Sequence, residues 1–148
     1  MTVLVTAKLQ NSLKVLYIRG FSVQIRVYYE DTDTGGVVYH SNYLNFCERA
    51  RSDIFFQKGL MPMLDSGHFV ARRIIADYLR GAKLGDLLDV KTKLIKMKSA
   101  SFILNQTIYK EEQKVFEMDI TLAYVSFEGK PKRLQEQTKE MILSLFHV

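Results

Sequence analysis

The sequence predicts an α+β domain in which a curved antiparallel sheet of five strands is wrapped around one central helix. Five segments carry the residue pattern of strands, and short turns join the last three of them. One sizeable helix is available to cover the apolar face that such strands expose. The 148 residues are 47% apolar and 25% charged, which is typical of one ordinary globular domain.

The domain is expected to span residues 21–148 and to begin with a strand. Val23, Ile25 and Val27 alternate with polar residues, and this period of two is typical of a half-buried strand. Residues 30–36 then combine three acids, two threonines and two glycines. This composition predicts a loop between the first strand and the helix.

The central helix is expected over residues 43–58. Ser41 or Asn42 is a suitable N-cap, Gly59 stands where a terminating glycine is common, and Pro62 follows. Apolar residues cover a wide stripe of the helix, which indicates burial over much of its circumference.

Four further strands are predicted, over residues 69–79, 87–98, 101–110 and 115–127. The turns at 98–100 and 111–114 are short, so consecutive strands are expected to form antiparallel hairpins. In the last strand Phe116 and Met118 face one way while Glu117 and Asp119 face the other. A short helix with apolar residues at helical spacing is expected after Leu134.

Residues 1–20 are expected to form a poorly ordered extension. They contain Lys8, Lys14 and Arg19 and no acid, so they supply three of the five net positive charges. The rest of the chain has neither a basic stripe nor a recognisable nucleic-acid module, and we expect no nucleic-acid partner.

The sequence also limits the compartment. No apolar run approaches the roughly 18 residues of a membrane span. The single cysteine, Cys47, excludes an intramolecular disulfide and a multi-cysteine zinc site. We expect a cytoplasmic protein, with peripheral contact to the inner membrane as an open alternative.

The loop after the first strand is the candidate functional segment. Glu30, Asp31 and Asp33 are followed by His40 at the start of the helix, where backbone N–H groups favour an anion or a developing oxyanion. The alternative is a solvated acidic turn with a helix cap. No metal site is predicted, because Gly35 and Asn42 occupy positions where an EF-hand needs ligands.

Two segments resemble a known family. Residues 28–44 (YYEDTDTGGVVYHSNYL), with 46–51 (FCERAR), are similar to the signature of hotdog-fold acyl-CoA thioesterases. The YbgC-type, Tol-Pal-associated subfamily, related to 4-hydroxybenzoyl-CoA thioesterase, is the most similar. Residues 76–86 (ADYLRGAKLGD) also resemble this family, although Gly81 replaces an expected proline.

The resemblance implies a hotdog fold, in which a sheet wraps one helix. It also implies pairing through sheet edges, homotetramers built from dimers and an active site at the dimer interface. The implied substrate is acyl-CoA, with acyl carrier protein as a further partner. No cofactor is implied, since coenzyme A is part of the substrate.

The resemblance also assigns roles to residues. Asp33 is the catalytic carboxylate, acting either as nucleophile or as general base. His40 is its partner, and the helix N-terminus polarises the thioester carbonyl. The expected supporting residues are Tyr28, Asn42 and Tyr43. The expected coenzyme A contacts are Lys83, Lys96, Lys98 and Ser99.

One departure and one alternative accompany this assignment. His40 stands where the hydroxybenzoyl enzymes carry tyrosine, which argues against an aromatic acyl preference. The alternative function is a non-catalytic module that binds acyl-CoA or acyl carrier protein and is linked to phospholipid synthesis. A role beside the Tol-Pal system comes from the family resemblance alone.

Overall fold

The computed structural model describes residues 21–64 and 66–146, so the prediction for residues 1–20 lies outside the described part. These described residues form six strands and two α-helices. The strands are β1 (Phe21–Arg26), β2 (Met63–Leu64), β3 (Gly67–Tyr78), β4 (Leu87–Met97), β5 (Ser101–Lys110) and β6 (Gln113–Val125). The helices are α1 (His40–Gln57) and α2 (Glu136–Phe146), and a single 3-10 turn covers Tyr29–Asp31.

All strands belong to one antiparallel sheet with the order β1-β4-β5-β6-β3-β2. The predicted hairpins β4–β5 and β5–β6 are confirmed. The predicted strand number is wrong by one, because Met63 and Leu64 pair with His68 and Gly67 as a two-residue strand. So short a segment carries no readable alternation, which is why its sequence did not predict it.

Helix α1 lies on the concave face of the sheet. Phe46, Cys47 and Ala50 are fully buried, and Ile54 and Phe55 continue the same buried surface. The sheet contributes the alternate residues of its central strands, among them Leu104 and Ile120. Helix α2 closes one end of this core, where Phe146 contacts Phe55 at 5.8 Å between ring centroids.

A buried polar cluster fixes α1 against the sheet. Gln106 on β5 is fully buried and donates hydrogen bonds from Nε2 to the carbonyl of Cys47 and to the hydroxyl of Thr92, both at 2.9 Å. Its Oε1 accepts a hydrogen bond from Arg51, also at 2.9 Å. A buried amide has to satisfy these groups with partners in fixed directions, so Gln106 sets the position of α1 along β5.

Strand β3 has one open edge. It pairs with β6 along its length, with a β-bulge between Ala71 and Arg73. On its other side, β2 covers only Gly67 and His68. Within the described residues the remaining edge, from Phe69 to Tyr78, has no paired strand. An edge of this length presents free N–H and C=O groups to another chain.

Neither helix in the described residues is sufficiently long and apolar to span a lipid bilayer.

Candidate functional site

Asp33 lies at the tip of the loop that joins the 3-10 turn to α1. Its Oδ1 accepts the N–H of Gly35 at 2.8 Å, and its carbonyl accepts the N–H of Gly36 at 3.0 Å. Gly36 has a φ of +77°, a conformation that favours glycine. The Asp33 side chain is exposed. The loop therefore holds the carboxylate in one place with its second oxygen available to a substrate.

Asp31 has a different role from Asp33. It is buried, and its Oδ2 accepts the N–H of Tyr28 at 2.8 Å. Its carbonyl accepts the N–H of Tyr39 at 2.9 Å and the side-chain amide of Asn42 at 3.0 Å. Asp31 thus ties the loop to the first turn of α1, while the ring of Tyr28 is 62% exposed.

Helix α1 begins at His40, three residues earlier than expected, so neither Ser41 nor Asn42 is its N-cap. The N-cap is Tyr39, which makes no side-chain capping hydrogen bond. Asn42 instead donates its backbone N–H to the carbonyl of Tyr39 at 2.8 Å. The first N–H groups of a helix lack intrahelical acceptors, so those of His40 and Ser41 are available to an anion.

Aromatic side chains surround His40. Its ring lies 4.4 Å from that of Tyr39 and 6.4 Å from that of Tyr78. The Tyr78 hydroxyl donates a hydrogen bond to the carbonyl of His40 at 3.0 Å. This contact links the last residue of β3 to the first residue of α1. The contact therefore fixes the start of α1 against the end of β3.

Tyr43 connects α1 to the loop at residues 79–86. Its hydroxyl accepts the N–H of Ala82 at 3.0 Å, and its ring stacks on Phe116 at 5.2 Å. Burial is the main cause of its raised pKa, so the hydroxyl stays neutral. The carbonyl of Ala82 in turn accepts the N–H of Val38 at 2.8 Å. Tyr43 thus supports the Asp33 loop through Ala82.

Gly81 packs closely against the same loop. A Cβ atom at this position would lie 2.9 Å from Cγ1 of Val37. That separation is shorter than an ordinary carbon–carbon contact. The absence of a side chain at Gly81 therefore lets the two loops meet.

The structure does not bring the four predicted coenzyme A contacts together. Lys83 lies beside Ala82 and donates its backbone N–H to Asp86. Lys96, Lys98 and Ser99 lie at the far end of β4, and the eleven residues of β4 correspond to about 33 Å. Within one chain, Lys83 and the other three therefore belong to different regions.

Sequence reasoning did not single out two residues near the site, Tyr78 and Arg80. Arg80 lines a cleft of about 400 Å³ together with Leu79, Gln113 and Lys114. Both residues stand in the segment 76–86 that carried the family resemblance, which was the available signal. The sequence of this segment does not show that the end of β3 packs against α1, so it could not place either residue near His40.

Cys47 is expected to be unreactive in the folded protein. Burial raises its pKa to about 12, so only about one thiol in ten thousand is ionised at pH 8. We expect a chromogenic disulfide reagent to label Cys47 only after unfolding in urea. Fast stoichiometric labelling of the native protein would contradict this burial.

Among residues 21–64 and 66–146, no three His, Cys, Asp or Glu side chains are close enough together to hold a metal ion.

The comparisons with known proteins agree with this fold. The thioesterase superfamily matches residues 35–117. The acyl-CoA thioesterase YbgC of Helicobacter pylori is 47% identical over 87 residues, which cover 59% of this chain and 65% of that protein, slightly under two thirds of its length. The acyl-CoA thioesterase YbgC of Haemophilus influenzae is 40% identical over 118 residues, covering 76% and 85%.

The fold has solved counterparts. The crystal structure of a probable thioesterase from Bartonella henselae has a TM-score of 0.73 at 34% identity. The match covers 77% of this chain and 98% of that one. A sheet wrapped around a central helix is therefore shared with a protein that is similar in sequence as well.

Proposed function

Because the chain belongs to the thioesterase superfamily, we propose that it hydrolyses the thioester of an acyl-CoA to a free acid and coenzyme A. The similar Helicobacter and Haemophilus proteins bear the name of this activity. The observation that carries the proposal is the exposed Asp33 carboxylate, held by Gly35 in the loop that leads to α1, whose N-terminus has no side-chain cap.

Asp33 can promote hydrolysis of the thioester by two routes. As nucleophile, its free oxygen attacks the thioester carbon and the C–S bond breaks, which gives a mixed anhydride that water then hydrolyses. As general base, it takes a proton from water while the oxygen of that water attacks the same carbon. In both routes the coenzyme A thiolate leaves and is protonated.

The start of α1 is proposed to stabilise the oxyanion. The N–H groups of His40 and Ser41 are the available donors, because Asn42 uses its own N–H for Tyr39. One such donor is typically worth about 3–4 kcal/mol of transition-state stabilisation. Asn42 and Tyr43 support these donors by fixing the first turn of the helix.

His40 is proposed to orient the thioester and to protonate the leaving thiolate. We expect His40→Ala to lower turnover about 10²-fold, with little change in melting temperature because the imidazole is exposed. The measurement is steady-state kinetics beside thermal unfolding. His68→Ala, at the opposite end of β3, serves as the matched control and keeps its turnover. A large loss of stability in His40→Ala would instead identify a structural residue.

The open edge of β3 is proposed to form a dimer with a second copy. Ile74 and Ile75 on this strand are 38% and 56% exposed, and Tyr78 is 49% exposed. Antiparallel pairing of two β3 strands would satisfy their free backbone groups and cover these side chains. It would also bring the partner chain to the region beside His40, where Tyr78 ends the strand.

Coenzyme A phosphates need cations near the site. Lys83 is the predicted contact that lies beside the Asp33 loop, and Arg80 and Lys114 line the cleft next to Tyr78. We propose that these three attract the phosphates by charge. Lys96, Lys98 and Ser99 lie at the other end of β4, so in one chain they are far from this cleft. Their contacts with coenzyme A stay a prediction.

The function is tested by thiol release from short, medium, long and aromatic acyl-CoAs. If the wild type releases thiol from any of these acyl-CoAs and Asp33→Asn does not, hydrolysis is supported. The acyl-CoA with the highest turnover then identifies the acyl preference. A folded protein that releases no thiol from acyl-CoA or from acyl carrier protein would overturn it. In that case, binding of intact acyl-CoA in calorimetry would favour the alternative of a binding module.

A further inference from the structure

The hydroxyl of Tyr78 contacts the first turn of α1 from the end of a distant strand. Tyr78 is the last residue of β3, and its hydroxyl donates a hydrogen bond to the carbonyl of His40 at 3.0 Å. His40 is the first residue of α1. A carbonyl oxygen has two lone pairs, so this hydrogen bond adds to the one that the same carbonyl accepts inside the helix.

The carbonyl of His40 and the N–H of Ser41 belong to one peptide group. A peptide group is planar, and its carbonyl and its N–H point in opposite directions. The Tyr78 hydroxyl holds the carbonyl end of this group, so it also fixes the direction of the Ser41 N–H. A donor at the carbonyl polarises the amide as well, which makes the N–H a stronger donor.

The N–H of Ser41 is free to bind a ligand. The first N–H groups of a helix have no acceptor within the helix. Among the backbone hydrogen bonds of residues 21–64 and 66–146, none is donated by His40 or Ser41. These are the two N–H groups that the proposed function assigns to the oxyanion. Tyr78 therefore holds one of the two peptide groups that would donate to the reacting oxygen.

The two proposed oxyanion donors have different supports. The N–H of His40 belongs to the peptide group whose carbonyl, that of Tyr39, accepts the backbone N–H of Asn42 at 2.8 Å. The backbone of the helix itself supplies this support. The support of Ser41 comes instead from the side chain of Tyr78, which can be replaced while the backbone stays the same.

The ring of Tyr78 is held independently of its hydroxyl. Tyr78 stands opposite Phe116 in the β3–β6 ladder, and the two rings lie 5.0 Å apart between centroids. Phe116 is fully buried. The buried ring of Tyr43 lies 5.7 Å from that of Tyr78, in an edge-to-face arrangement. Phenylalanine at position 78 therefore keeps these contacts and removes the hydroxyl alone.

The Tyr78 hydroxyl is a hydrogen-bond donor at neutral pH. Burial raises the pKa of Tyr78 above its ordinary value, so the phenol stays protonated. A neutral phenol has one O–H to donate, and the carbonyl of His40 is its acceptor. The contact is therefore present under the conditions in which thiol release is measured.

We propose that Tyr78 is a positioning residue for thioester hydrolysis, whose hydroxyl orients and polarises the peptide between His40 and Ser41 so that the Ser41 N–H stabilises the oxyanion. This inference rests on the proposed function and adds to it a residue of β3 that acts through the helix backbone. Negative charge on the thioester oxygen develops only in the transition state, so stronger donation lowers the barrier without tightening substrate binding. The expected signature is a loss in kcat at constant KM.

The first test compares Tyr78→Phe with a matched control, Tyr124→Phe. Tyr124 lies at the opposite end of β6 from Phe116, and its hydroxyl forms a hydrogen bond with Ser66 at 2.7 Å. Each variant thus loses one tyrosine hydroxyl on the β3–β6 ladder. In thiol release, we expect kcat of Tyr78→Phe to decrease about tenfold at unchanged KM, while Tyr124→Phe keeps the wild-type kcat. Wild-type kcat in folded Tyr78→Phe, or a loss confined to KM, would overturn the proposal.

A fluorotyrosine at position 78 separates hydrogen-bond donation from packing. Fluorine next to the hydroxyl makes the phenol more acidic and a stronger donor, while the ring keeps its contacts. At a pH at which the phenol is protonated, we expect kcat to increase from phenylalanine to tyrosine to fluorotyrosine at this position. A fluorotyrosine protein with a kcat no higher than that of Tyr78→Phe would show that donation by the hydroxyl has no part in catalysis.

The amide of Ser41 provides a readout that does not depend on turnover. We expect its NMR resonance to shift in Tyr78→Phe, because the carbonyl of the same peptide loses a donor while the neighbouring ring is kept. The resonance stays in place in Tyr124→Phe. A Ser41 resonance that is the same in Tyr78→Phe and the wild type would overturn the proposal. Loss of thiol release in Asp33→Asn supports the proposed function whatever the result at position 78, so the two can fail separately.

Discussion

Replacing Asp33 by asparagine is expected to lower turnover of acyl-CoA about 10³-fold while the fold is kept. The amide is neutral, so it neither attacks the thioester carbon nor takes a proton from water. Its oxygen can still accept the N–H of Gly35, which now holds Oδ1 at 2.8 Å. The loss should therefore appear in kcat, with the melting temperature close to that of the wild type.

Glu30→Gln is the matched control for this experiment. Glu30 is an exposed acid in the same segment, three residues before Asp33. We expect it to keep wild-type turnover, because it has no place in either route. Near wild-type kcat in Asp33→Asn would remove Asp33 from the chemistry under both routes.

Replacing Gln106 by leucine is expected to cause the largest loss of stability, about 3 kcal/mol. The change removes the partner of Arg51 and the donors to Cys47 and Thr92, while leucine keeps the side-chain volume similar. Burial lowers the pKa of Arg51, which shows that its charged form is already short of solvent. Leucine at position 106 would remove the hydrogen bond that the buried guanidinium donates to Gln106. Thermal unfolding should show a decrease of about 10 °C.

Thr92→Val provides the comparison for Gln106. It removes one hydrogen bond of the cluster and keeps the side-chain shape, so we expect a loss of about 1 kcal/mol. If Gln106→Leu costs no more than Thr92→Val, the cluster does not hold α1 in the way described. Turnover of Gln106→Leu should also fall, because α1 carries His40 and Ser41.

The sequence predicted the strands with strong alternation and missed features that depend on contacts between distant segments. Strand β5 has the predicted bounds, because buried residues and clear turns define both of its ends. The start of α1 was placed too late, because polar Ser41 and Asn42 resembled a cap. The hydrogen bond from Tyr78 to His40, which joins residues 38 positions apart, is not visible in local sequence.

In the candidate site, too, local sequence predicts some residues, and others depend on contacts between distant segments. Asp33 and His40 were singled out from the loop composition and the family resemblance, since both are close in sequence to the helix start. Composition alone does not show which acid of the loop contacts the substrate. In the structure Asp31 is buried and supports the loop, whereas the side chain of Asp33 is exposed. The separation of Lys83 from Lys96 requires the strand directions, which only the fold supplies.

The close approach of Gly81 to Val37 constrains how this chain and its relatives can diverge. A proline at position 81, which the family resemblance led us to expect, would bring a Cβ atom to 2.9 Å from Val37. A side chain at position 81 therefore requires Val37 or the loop at 79–86 to move. Gly81→Ala alone is expected to displace the loop that carries Asp33, and a smaller residue at position 37 in the same chain is expected to restore its position.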